Sequence, residues 1–405
     1  MRIAFITYEF PPETGKGGIG TYSKQIATMM ANIGWDVHVF AGSQQKSGTQ
    51  NTAGYTLHYV KCENGSEFKD NVTDIFSSCH LEDPFDLMES PEIQGNAWEI
   101  KKKFPQIPLI VRLHASNYLV EHLKKKYTPF ISKLRYVIGA LRLGKLDMGY
   151  WRLYDYKNDS DYQFTQTADA IIAPSKIMKQ WAVKQWHILP EAIEVISNPF
   201  IPSNIFLEIP IAENNANKEI VFFGRLNVLK GLVNCTLAME KILTKFPNYN
   251  FKIIGDDGPG PNTKTSMKDW MQKKLQRVIK RVTFYSGQEY DKLPALISSA
   301  SIVLIPSLFE SFSYTCAEAM AAGKVVIGSN GTGMEDIIVN NFNGILINPE
   351  CKKEIFKAVE KIILDDHLRY SISQSARISI ASAFNAEKLA PQYINYYKKI
   401  EALYG

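Results

Sequence analysis

Short apolar runs alternate with longer amphipathic stretches along most of the chain, a pattern typical of α/β proteins. Apolar runs bounded by turn residues predict buried strands with helices between them. In the first half these runs are residues 2–7, 35–40, 56–60, 85–89, 108–114 and 170–173. In the second half they are residues 218–223, 251–254, 282–285, 301–305, 325–327 and 344–347. The alternation predicts two doubly wound parallel-sheet units in tandem.

A break in this pattern predicts the boundary between the two units. Proline-rich, irregular sequence follows Asn198-Pro199 and continues to about Asn217, which indicates a linker. A length of 405 residues also favours two domains over one. The last predicted helix, from about Ala386 to Leu403, is long and amphipathic.

Residues 118–164 depart from the alternation because they carry helical signals and no strand signal. They overlap the most basic part of the chain: residues 101–160 hold thirteen Lys and Arg against four Asp and Glu, within a total charge of +5. Two interpretations stay open. The segment is a solvated helical insertion, or it is an acceptor-binding or membrane-surface element, because basic amphipathic helices suit anionic lipid surfaces.

Composition narrows the class of protein. With 45% hydrophobic and 21% charged residues, the chain resembles an ordinary globular protein. Its five cysteines are scattered and form no C-x-x-C pair, which predicts neither disulfides nor a zinc site and favours a reduced compartment. The first apolar run is too short for a signal peptide, and no window reaches the roughly 18 apolar residues of a membrane span. The expected location is cytoplasmic, with peripheral attachment at the inner face of the membrane as the alternative.

Motifs typical of several other enzyme classes are missing from the sequence. The sequence contains no G-x-x-x-x-G-K-[ST] loop, no G-x-S-x-G elbow and no H-E-x-x-H pair, which argues against the corresponding NTPases, hydrolases and metalloproteases. Its basic segments lack the aromatic repeats of nucleic-acid-binding modules, so no nucleic-acid partner is expected.

Two carboxylates follow the predicted strand at 301–305 and mark the strongest candidate site. Glu310 lies in the turn after this strand, and Glu318 lies within the next predicted helix, which ends at Gly323. Open α/β sheets bind ligands at the carboxyl ends of their strands. A helix N-terminus favours phosphate, and carboxylates accept hydrogen bonds from hydroxyl groups. The stretch therefore predicts a ligand that carries both phosphate and sugar.

Other strand ends of the second half suit the same ligand. Arg225 and Lys230 follow the strand at 218–223 and can hold a diphosphate, although ordinary surface charge is the alternative for either residue alone. A tight turn at 255–258 and a glycine-rich turn at 331–335 follow two further strands. The coincidence of several strand ends is more specific than any single match.

The first half offers two weaker candidates. Residues 15–20 formally match G-x-G-x-x-G, but the preceding loop is too long for a dinucleotide fold and no acid follows the second strand. This loop either approaches an anionic ligand with its backbone N–H groups or contacts no ligand. His114 ends the strand at 108–114, where a ligand-contacting histidine and a packed histidine are both compatible with the sequence.

Together these residues resemble the retaining nucleotide-sugar glycosyltransferases of family 4, which have the GT-B fold. Glu310 and Glu318 match the family's E-x7-E signature, and the likeness covers nearly the whole chain. The other matching segments are Gly17-Gly18, Leu113-His114, residues 170–175, Asn198-Pro199, Gly224-Arg225-Leu226 with Lys230-Gly231, and residues 331–335. The combination is specific for the family and says little about the substrate.

The resemblance implies a domain organisation. Residues 1–203 would form a Rossmann-like, acceptor-side domain, and residues 204–385 would form the Rossmann-like domain that binds the nucleotide-sugar donor. In a GT-B protein the two domains face a cleft. The C-terminal helix would cross back, so that residues 386–405 complete the first domain.

The resemblance also implies catalytic roles. Arg225 and Lys230 would bind the donor diphosphate and stabilise the leaving nucleotide diphosphate. Glu310 would lie beside the donor sugar without acting as a named nucleophile, and Glu318 would hold the ribose hydroxyls. His114 would reach the sugar near the reacting centre. The other residues expected at the donor are Gly17, Gly18, Ser311, Phe312 and Ser313.

The implied reaction transfers a hexose with retention at the anomeric carbon. The expected donor is UDP-glucose, and the expected acceptor is a carbohydrate or a lipid-linked saccharide, in polysaccharide or glycolipid assembly. No metal and no cofactor are expected, because the two cations would supply the charge that a metal would. An epimerase or phosphorylase on the same fold is the alternative, as is a non-catalytic sugar-nucleotide-binding subunit.

Three departures from the family pattern stand out. Ser313 occupies a position where the family often has glycine, and its side chain would crowd the sugar. Lys324-Val325 replaces a common proline-containing version. Residues 118–164 lie outside the shared core and are the expected seat of acceptor choice.

Overall fold

The computed structural model describes residues 1–15, 17–52, 54–146, 148–151, 155–212, 218–262, 265–288 and 290–404. Within this part, the chain forms two units, each with its own sheet. The first unit comprises Met1–Tyr118, Asp155–Ile201 and Ala383–Gly405, and the second comprises Leu119–Tyr154 and Pro202–Ser382. Each unit is therefore assembled from separate stretches of sequence.

The strands of the first unit are β1 (Arg2–Thr7), β2 (Asp36–Ser43), β3 (Gly48–Thr52), β4 (Tyr55–Lys61), β5 (Leu87–Pro91), β6 (Leu109–Arg112), β7 (Ala170–Ala173) and β8 (Ile193–Val195). The strands of the second unit are β9 (Glu219–Phe223), β10 (Asn250–Ile254), β11 (Val282–Tyr285), β12 (Ala300–Ile305), β13 (Val325–Ser329) and β14 (Ile345–Ile347). Their order is β3-β4-β2-β1-β5-β6-β7-β8 in the first sheet and β11-β10-β9-β12-β13-β14 in the second. Adjacent strands run parallel, apart from the antiparallel pair of β3 and β4.

The α-helices of the described residues connect these strands. They are α1 (Gly18–Asn32), α2 (Gly65–Glu82), α3 (Trp98–Lys103), α4 (Asn117–Tyr127), α5 (Phe130–Arg142), α6 (Ser160–Thr165), α7 (Lys176–Trp186), α8 (Asn204–Leu207), α9 (Leu232–Lys245), α10 (Met267–Lys274), α11 (Leu293–Ser298), α12 (Tyr314–Ala321), α13 (Lys352–Leu364), α14 (Asp366–Ala383) and α15 (Ala386–Tyr404). No helix among these residues is both long and apolar enough to cross a membrane.

The central strands are buried along their whole length because helices cover both faces of each sheet. All six residues of β12 and all five of β13 are buried. The apolar side chains of β9, β10, β12 and β13 pack against α9 and α13 in the core of the second unit. This burial explains why these strands appear in the sequence as continuous apolar runs rather than as alternating apolar and polar residues.

Each sheet has a switch point, where the chain stops adding strands on one side and continues on the other. In the second sheet, β9 is followed outward by β10 and β11, and the chain then returns to place β12 on the opposite side of β9. The same reversal separates β1 from β5 in the first sheet. Because the loops on the two sides of a switch point diverge, a crevice opens there at the carboxyl ends of the strands.

The last helix, α15, belongs to the first unit and is bonded into it. The Tyr397 hydroxyl donates to one carboxylate oxygen of Glu89 on β5, and the Tyr22 hydroxyl of α1 donates to the other at 2.5 Å. The Tyr393 hydroxyl donates to the Ser197 carbonyl at 2.9 Å. One buried carboxyl group thus joins a strand, the first helix and the last helix.

The predicted fold class is confirmed, since the chain contains two parallel-sheet α/β units. Every strand predicted from the apolar runs is present, and its ends differ by a few residues at most. Two strands, β3 and β8, do not follow from the pattern. Residues 118–164 contain helices and no strand in their described part, as predicted. Leu119–Tyr154 group with the second unit, whereas the prediction assigned them to residues 1–203. Residues 147 and 152–154 of this segment and 213–217 of the predicted linker lie outside the described residues.

Candidate active site

The loops after β9 and β12 are held together at the switch point of the second sheet. The Leu308 N–H donates to the Leu229 carbonyl at 2.8 Å. Gly231 has a φ of +69°, and a Cβ at this position would lie 1.7 Å from the Pro306 carbonyl oxygen. Because only glycine combines this backbone conformation with such a close approach, Gly231 fixes the neighbouring Lys230 against the end of β12.

Lys230 and Glu310 form an ion pair between these two loops. The Lys230 Nζ donates to Glu310 Oε1 at 2.5 Å, and the two side chains are 31% and 18% exposed. The Asn227 side chain accepts the Lys230 N–H at 3.0 Å and caps the short helical turn before Gly231. Both charged groups are therefore held in place at a position that solvent reaches.

Arg225 adds a second cation on the same side of the sheet. It follows Gly224, which has a φ of +140°, directly after β9, and its side chain is exposed. In the described part of the chain, no carboxylate pairs with its guanidinium group. The guanidinium is available to bind an anion in fork geometry.

The stretch from Glu310 to Ser313 is held between α12 and the turn after β13. The Gly333 N–H donates to the Glu310 carbonyl at 2.7 Å, and a Cβ on Gly333 would lie 2.2 Å from the Ser311 carbonyl oxygen. Ser313 caps α12, since its Oγ accepts the Cys316 N–H at 3.3 Å. The positive end of the α12 dipole therefore lies next to Glu310, where it favours an anionic ligand.

The backbone of Ser313 has a φ of +137°. This region favours glycine, because a Cβ makes it costly for other residues. The observation explains in physical terms why glycine would suit this position. Serine remains compatible because its hydroxyl caps the helix.

Glu318 lies on α12 and is only 8% exposed. Burial raises the pKa of its carboxyl group to about 8. The group therefore holds a proton near neutral pH, and it becomes a stronger acceptor for hydroxyl groups once it ionises. A ligand that offers two hydroxyls to this carboxylate would favour the ionised form.

In the first unit, His114 lies just beyond β6 and is 5% exposed. Its backbone N–H donates to both carboxylate oxygens of Glu92 at 2.9 Å, and its ring packs edge-to-face on Tyr22 at 5.4 Å. Burial, with a smaller contribution from Arg112, lowers the pKa of the imidazole to about 3. Its Nε2 is buried and has no hydrogen-bond partner among the described residues. His114 is thus a neutral imidazole with one nitrogen left to bind a ligand.

Sequence reasoning missed the acidic residues behind His114. Glu92 follows β5 at the switch point of the first sheet and is fully buried, and burial raises its pKa well above its usual range. Asp161 accepts the Gln94 N–H at 3.0 Å and the Asn117 N–H at 2.8 Å. These carboxyl groups fix the loops on either side of His114. The position of Glu92 directly after a strand is the signal that could have found it.

Gly17 and Gly18 lie at the start of α1 in the first unit. Gly17 has an extended backbone, with φ at −119°, and a Cβ at Gly18 would meet open space. The local fold therefore does not require glycine at Gly18, whereas a Cβ at Gly17 would make a tight contact, 3.3 Å from Glu9 Oε2. Lys16, between the first glycines of this motif, lies outside the described residues.

The sequence matches two family models that together span most of the chain. Residues 16–203 match the model of Glycosyltransferase Family 4, and residues 207–379 match the model of Glycosyl transferases group 1. The chain belongs to glycosyltransferase family 4. This family 4 protein is 25% identical to an uncharacterized glycosyltransferase of Methanocaldococcus jannaschii, over 98% of each chain.

Solved structures resemble this family 4 glycosyltransferase in fold. Sucrose-phosphate synthase from Thermosynechococcus elongatus is 18% identical, with a TM-score of 0.73 over 100% of both chains. HepE from Anabaena in complex with UDP is 17% identical, with a TM-score of 0.68 over 98% of this chain and 100% of that one. HepE has also been solved with UDP-glucose. These likenesses show the GT-B fold. With the family models, they confirm the fold and the family predicted from the sequence.

The structure groups the predicted site residues by unit. Lys230 and Glu310 are in direct contact, and Ser311, Phe312, Ser313 and Glu318 continue from Glu310 into α12. Arg225 precedes Lys230 in the loop after β9. Gly17, Gly18 and His114 belong to the first unit.

Proposed function

We propose that this family 4 glycosyltransferase moves a hexose from a nucleotide-diphosphate sugar to a carbohydrate or lipid-linked saccharide, with retention of configuration at the anomeric carbon. The observation that carries the proposal is the meeting of Lys230, Glu310 and the N-terminus of α12 at the switch point of the second sheet. UDP-glucose is the first donor to test, because the similar HepE protein was solved with UDP and with UDP-glucose. The proposed setting is polysaccharide or glycolipid assembly.

Lys230 and Arg225 would carry the leaving group. When the bond to the sugar breaks, negative charge grows on the diphosphate, and preorganised cations stabilise that charge more than they stabilise the bound donor. Lys230 is already positioned by Asn227 and Glu310, so little reorganisation is needed. The two cations provide the charge that a divalent metal would, and transfer is therefore proposed to be independent of metal and of any cofactor. Transfer should persist in EDTA.

Glu310 and Glu318 would bind different parts of the donor. Glu310 lies in the loop, half-exposed beside Lys230, and would orient the sugar, with Ser311, Phe312 and Ser313 completing the loop around it. Glu318 lies one helix turn further along α12 and is buried, and it would accept the ribose hydroxyls. The two carboxylates thus act on sugar and ribose rather than as an acid–base pair.

The first unit would contribute hydrogen bonds rather than charge. His114, neutral and with a free Nε2, would bind a hydroxyl group of the donor sugar. Gly17 and Gly18 would approach the diphosphate and the acceptor through their backbone, and the space beside Gly18 is open.

Nucleotide screening tests the proposal. We expect thermal stabilisation of the purified protein by UDP and UDP-glucose, more than by the GDP and ADP equivalents, and glucose transfer with retained configuration when acceptors are added. Glu310→Ala should abolish transfer and keep UDP affinity, whereas Glu318→Ala should weaken UDP binding itself. Stabilisation by none of the nucleotides would refute the donor site, and equal loss of UDP affinity in both variants would refute the division of roles.

A further inference from the structure

Helix α5 presents an apolar face to solvent. Six apolar residues recur on one side at helical spacing, namely Phe130, Ile131, Leu134, Val137, Ile138 and Leu141. Phe130 is 68% exposed, Ile131 63% and Leu141 53%, and α5 contains no buried residue. A contiguous exposed apolar surface of this kind marks an interaction site.

Helix α13, in the same unit, has a comparable apolar face, and that face is buried. It is similar in length to α5 and also amphipathic, but its apolar side is buried in the core of the second unit. The buried residues are Ile355, Ala358, Val359 and Ile362. The exposed face of α5 is therefore not the usual arrangement of an amphipathic helix in this protein.

Cations border the apolar face of α5 on both sides. At 3.6 residues per turn, Lys133 lies at one edge of the face, and Arg135 and Arg142 lie at the other. Residues 128–146 contain no Asp or Glu. Long basic side chains in these positions keep their charges at a polar boundary while their stems extend the apolar surface.

Further exposed apolar side chains follow the end of α5 in the sequence. Leu143 is 79% exposed, Leu146 77%, Met148 49% and Trp151 44%. Tryptophan is enriched where apolar and polar layers of a bilayer meet. These exposed residues also suit the interfacial region of a membrane.

We propose that α5, together with the exposed apolar side chains of Leu143, Leu146, Met148 and Trp151, binds flat on a membrane surface that contains anionic lipids. Only a bilayer offers both layers that this segment needs, an apolar layer for the face and phosphate groups for the bordering cations. A soluble anion would leave the apolar face in water. Since the segment contains none of the proposed donor-site residues, the membrane contact is independent of the proposed reaction. If the acceptor is lipid-linked, the contact brings the enzyme to the plane in which that acceptor lies.

Vesicle co-sedimentation of the full chain, without any nucleotide, tests the proposal. We expect binding to vesicles of phosphatidylcholine mixed with phosphatidylglycerol, much weaker binding to phosphatidylcholine alone, and weaker binding to the mixed vesicles at high salt. A triple variant with Lys133→Gln, Arg135→Gln and Arg142→Gln should lose roughly a hundredfold in partition coefficient, at about fivefold for each cation removed, and the corresponding Glu variant should lose more. A second variant, with Phe130→Ala, Ile131→Ala and Leu141→Ala, should also lose binding while every charge is kept.

The matched control places the same charge reversals on α13. Its exposed lysines Lys352, Lys353 and Lys357 would be changed to Glu, and this variant should bind vesicles almost as the unmodified protein does. Every substituted position except the half-buried Lys133 is solvent-exposed, so unchanged circular dichroism and thermal unfolding are expected and should be checked first.

Three results would overturn the proposal. The first is equal, weak sedimentation with both kinds of vesicle. The second is an equal loss of binding in the α13 control, which would show a general charge effect rather than a surface on α5. The third is a stable dimer in sedimentation velocity that Leu134→Glu dissociates, without vesicle binding by the monomer, since a second copy of the chain would then cover the face.

Discussion

The residues at the carboxyl ends of the strands, which form the rim of each unit, differ in charge between the two sheets. The rim of the second unit keeps its charges: Lys230 and Glu310 are paired and partly exposed, and Arg225 is open to solvent. The rim of the first unit removes them, since burial keeps His114 neutral and raises the pKa of Glu92 well above its usual range. An ion is costly to bury without a partner, so a site that must bind a diphosphate needs the first arrangement. A site that binds hydroxyl groups can use the second.

Glu318 connects the two patterns. It belongs to the second unit, yet it is buried and its carboxyl pKa is raised to about 8. The contrast is therefore between exposed or partly exposed loop residues and buried residues, rather than simply between the two units. Substitutions in each class should separate charge stabilisation from hydroxyl recognition.

The largest effect is expected for Lys230→Met. The variant removes the cation proposed to stabilise the leaving group and leaves Glu310 without its partner. We expect kcat to fall by about 10²–10³-fold and UDP affinity by about tenfold or more. Steady-state kinetics and calorimetry measure the two effects. Lys273→Met, which removes an exposed lysine on α10, is the control and should behave as the unmodified enzyme. Equal losses in both variants would contradict a specific role for Lys230.

The next largest effect is expected for His114→Ala. Loss of the proposed hydrogen bond to the donor hexose should lower kcat/KM by about ten- to a hundredfold and leave the affinity for UDP, which lacks that hexose, nearly unchanged. Because the imidazole pKa is about 3, the pH–rate profile of the unmodified enzyme between pH 5 and 9 should contain no limb due to His114. A limb near pH 6.5 that His114→Asn removes would show that the imidazole is charged after all.

A smaller effect is expected from the titration of Glu318. Ribose hydroxyls favour the ionised carboxyl, so UDP affinity should rise by at most about tenfold per pH unit below the pKa of about 8 and level off above it. Glu318→Gln should bind UDP more weakly and without this pH dependence. Isothermal titration calorimetry in buffers of different ionisation enthalpy would also detect the released proton. A flat profile in the unmodified enzyme would contradict the assignment.

The raised pKa of Glu318 also predicts how the free energy of unfolding changes with pH. The folded-state pKa of Glu318 is raised to about 8, so the folded protein keeps a proton that the unfolded chain has already lost at neutral pH. Its contribution to the free energy of unfolding is present at low pH and is lost as the pH rises through about 8, with a slope of at most about 1.4 kcal/mol per unit. Urea unfolding at several pH values should show a shallower decline for Glu318→Gln.

The smallest effect is expected for Ser313→Gly. Glycine relieves the strain of a φ of +137° but loses the hydroxyl that caps α12, so the free energy of unfolding should change by about 1 kcal/mol or less. Ser313→Val keeps the strain and loses the cap, and should cost about 2 kcal/mol. If the glycine variant loses as much stability as the valine variant, the strain at this position does not matter.

The strands could be predicted from the sequence where an apolar run ends abruptly at turn residues. Strands β7 and β11 have the predicted bounds, because turn residues stop each apolar run at the edge of the core. Strand β3 escapes prediction because four of its five residues are exposed and its sequence is polar. It is held by backbone pairing with β4, which leaves no signal in the side-chain pattern.

The candidate site was predictable to the extent that it lies at strand ends. Lys230 and Glu310 each follow a strand, and the two strands are neighbours across the switch point, so their meeting follows from the order of the sheet. Glu92 and Asp161 are far apart in sequence, and their role beside His114 exists only after folding. The surface of α5 is a third case. The basic, amphipathic pattern was visible in the sequence, but the sequence alone does not tell that its apolar side stays uncovered.

The hydrogen bond from Tyr397 of α15 to Glu89 affects the order in which the two units can complete their folding. A ribosome synthesises residues 1–118 first, but Tyr393 and Tyr397 emerge only after all of Pro202–Ser382. Until then, the nascent first unit has a buried carboxyl group that lacks one of its two hydroxyl donors. The second unit can therefore complete its core before the first, and the N-terminal unit is the last to reach its final structure during translation.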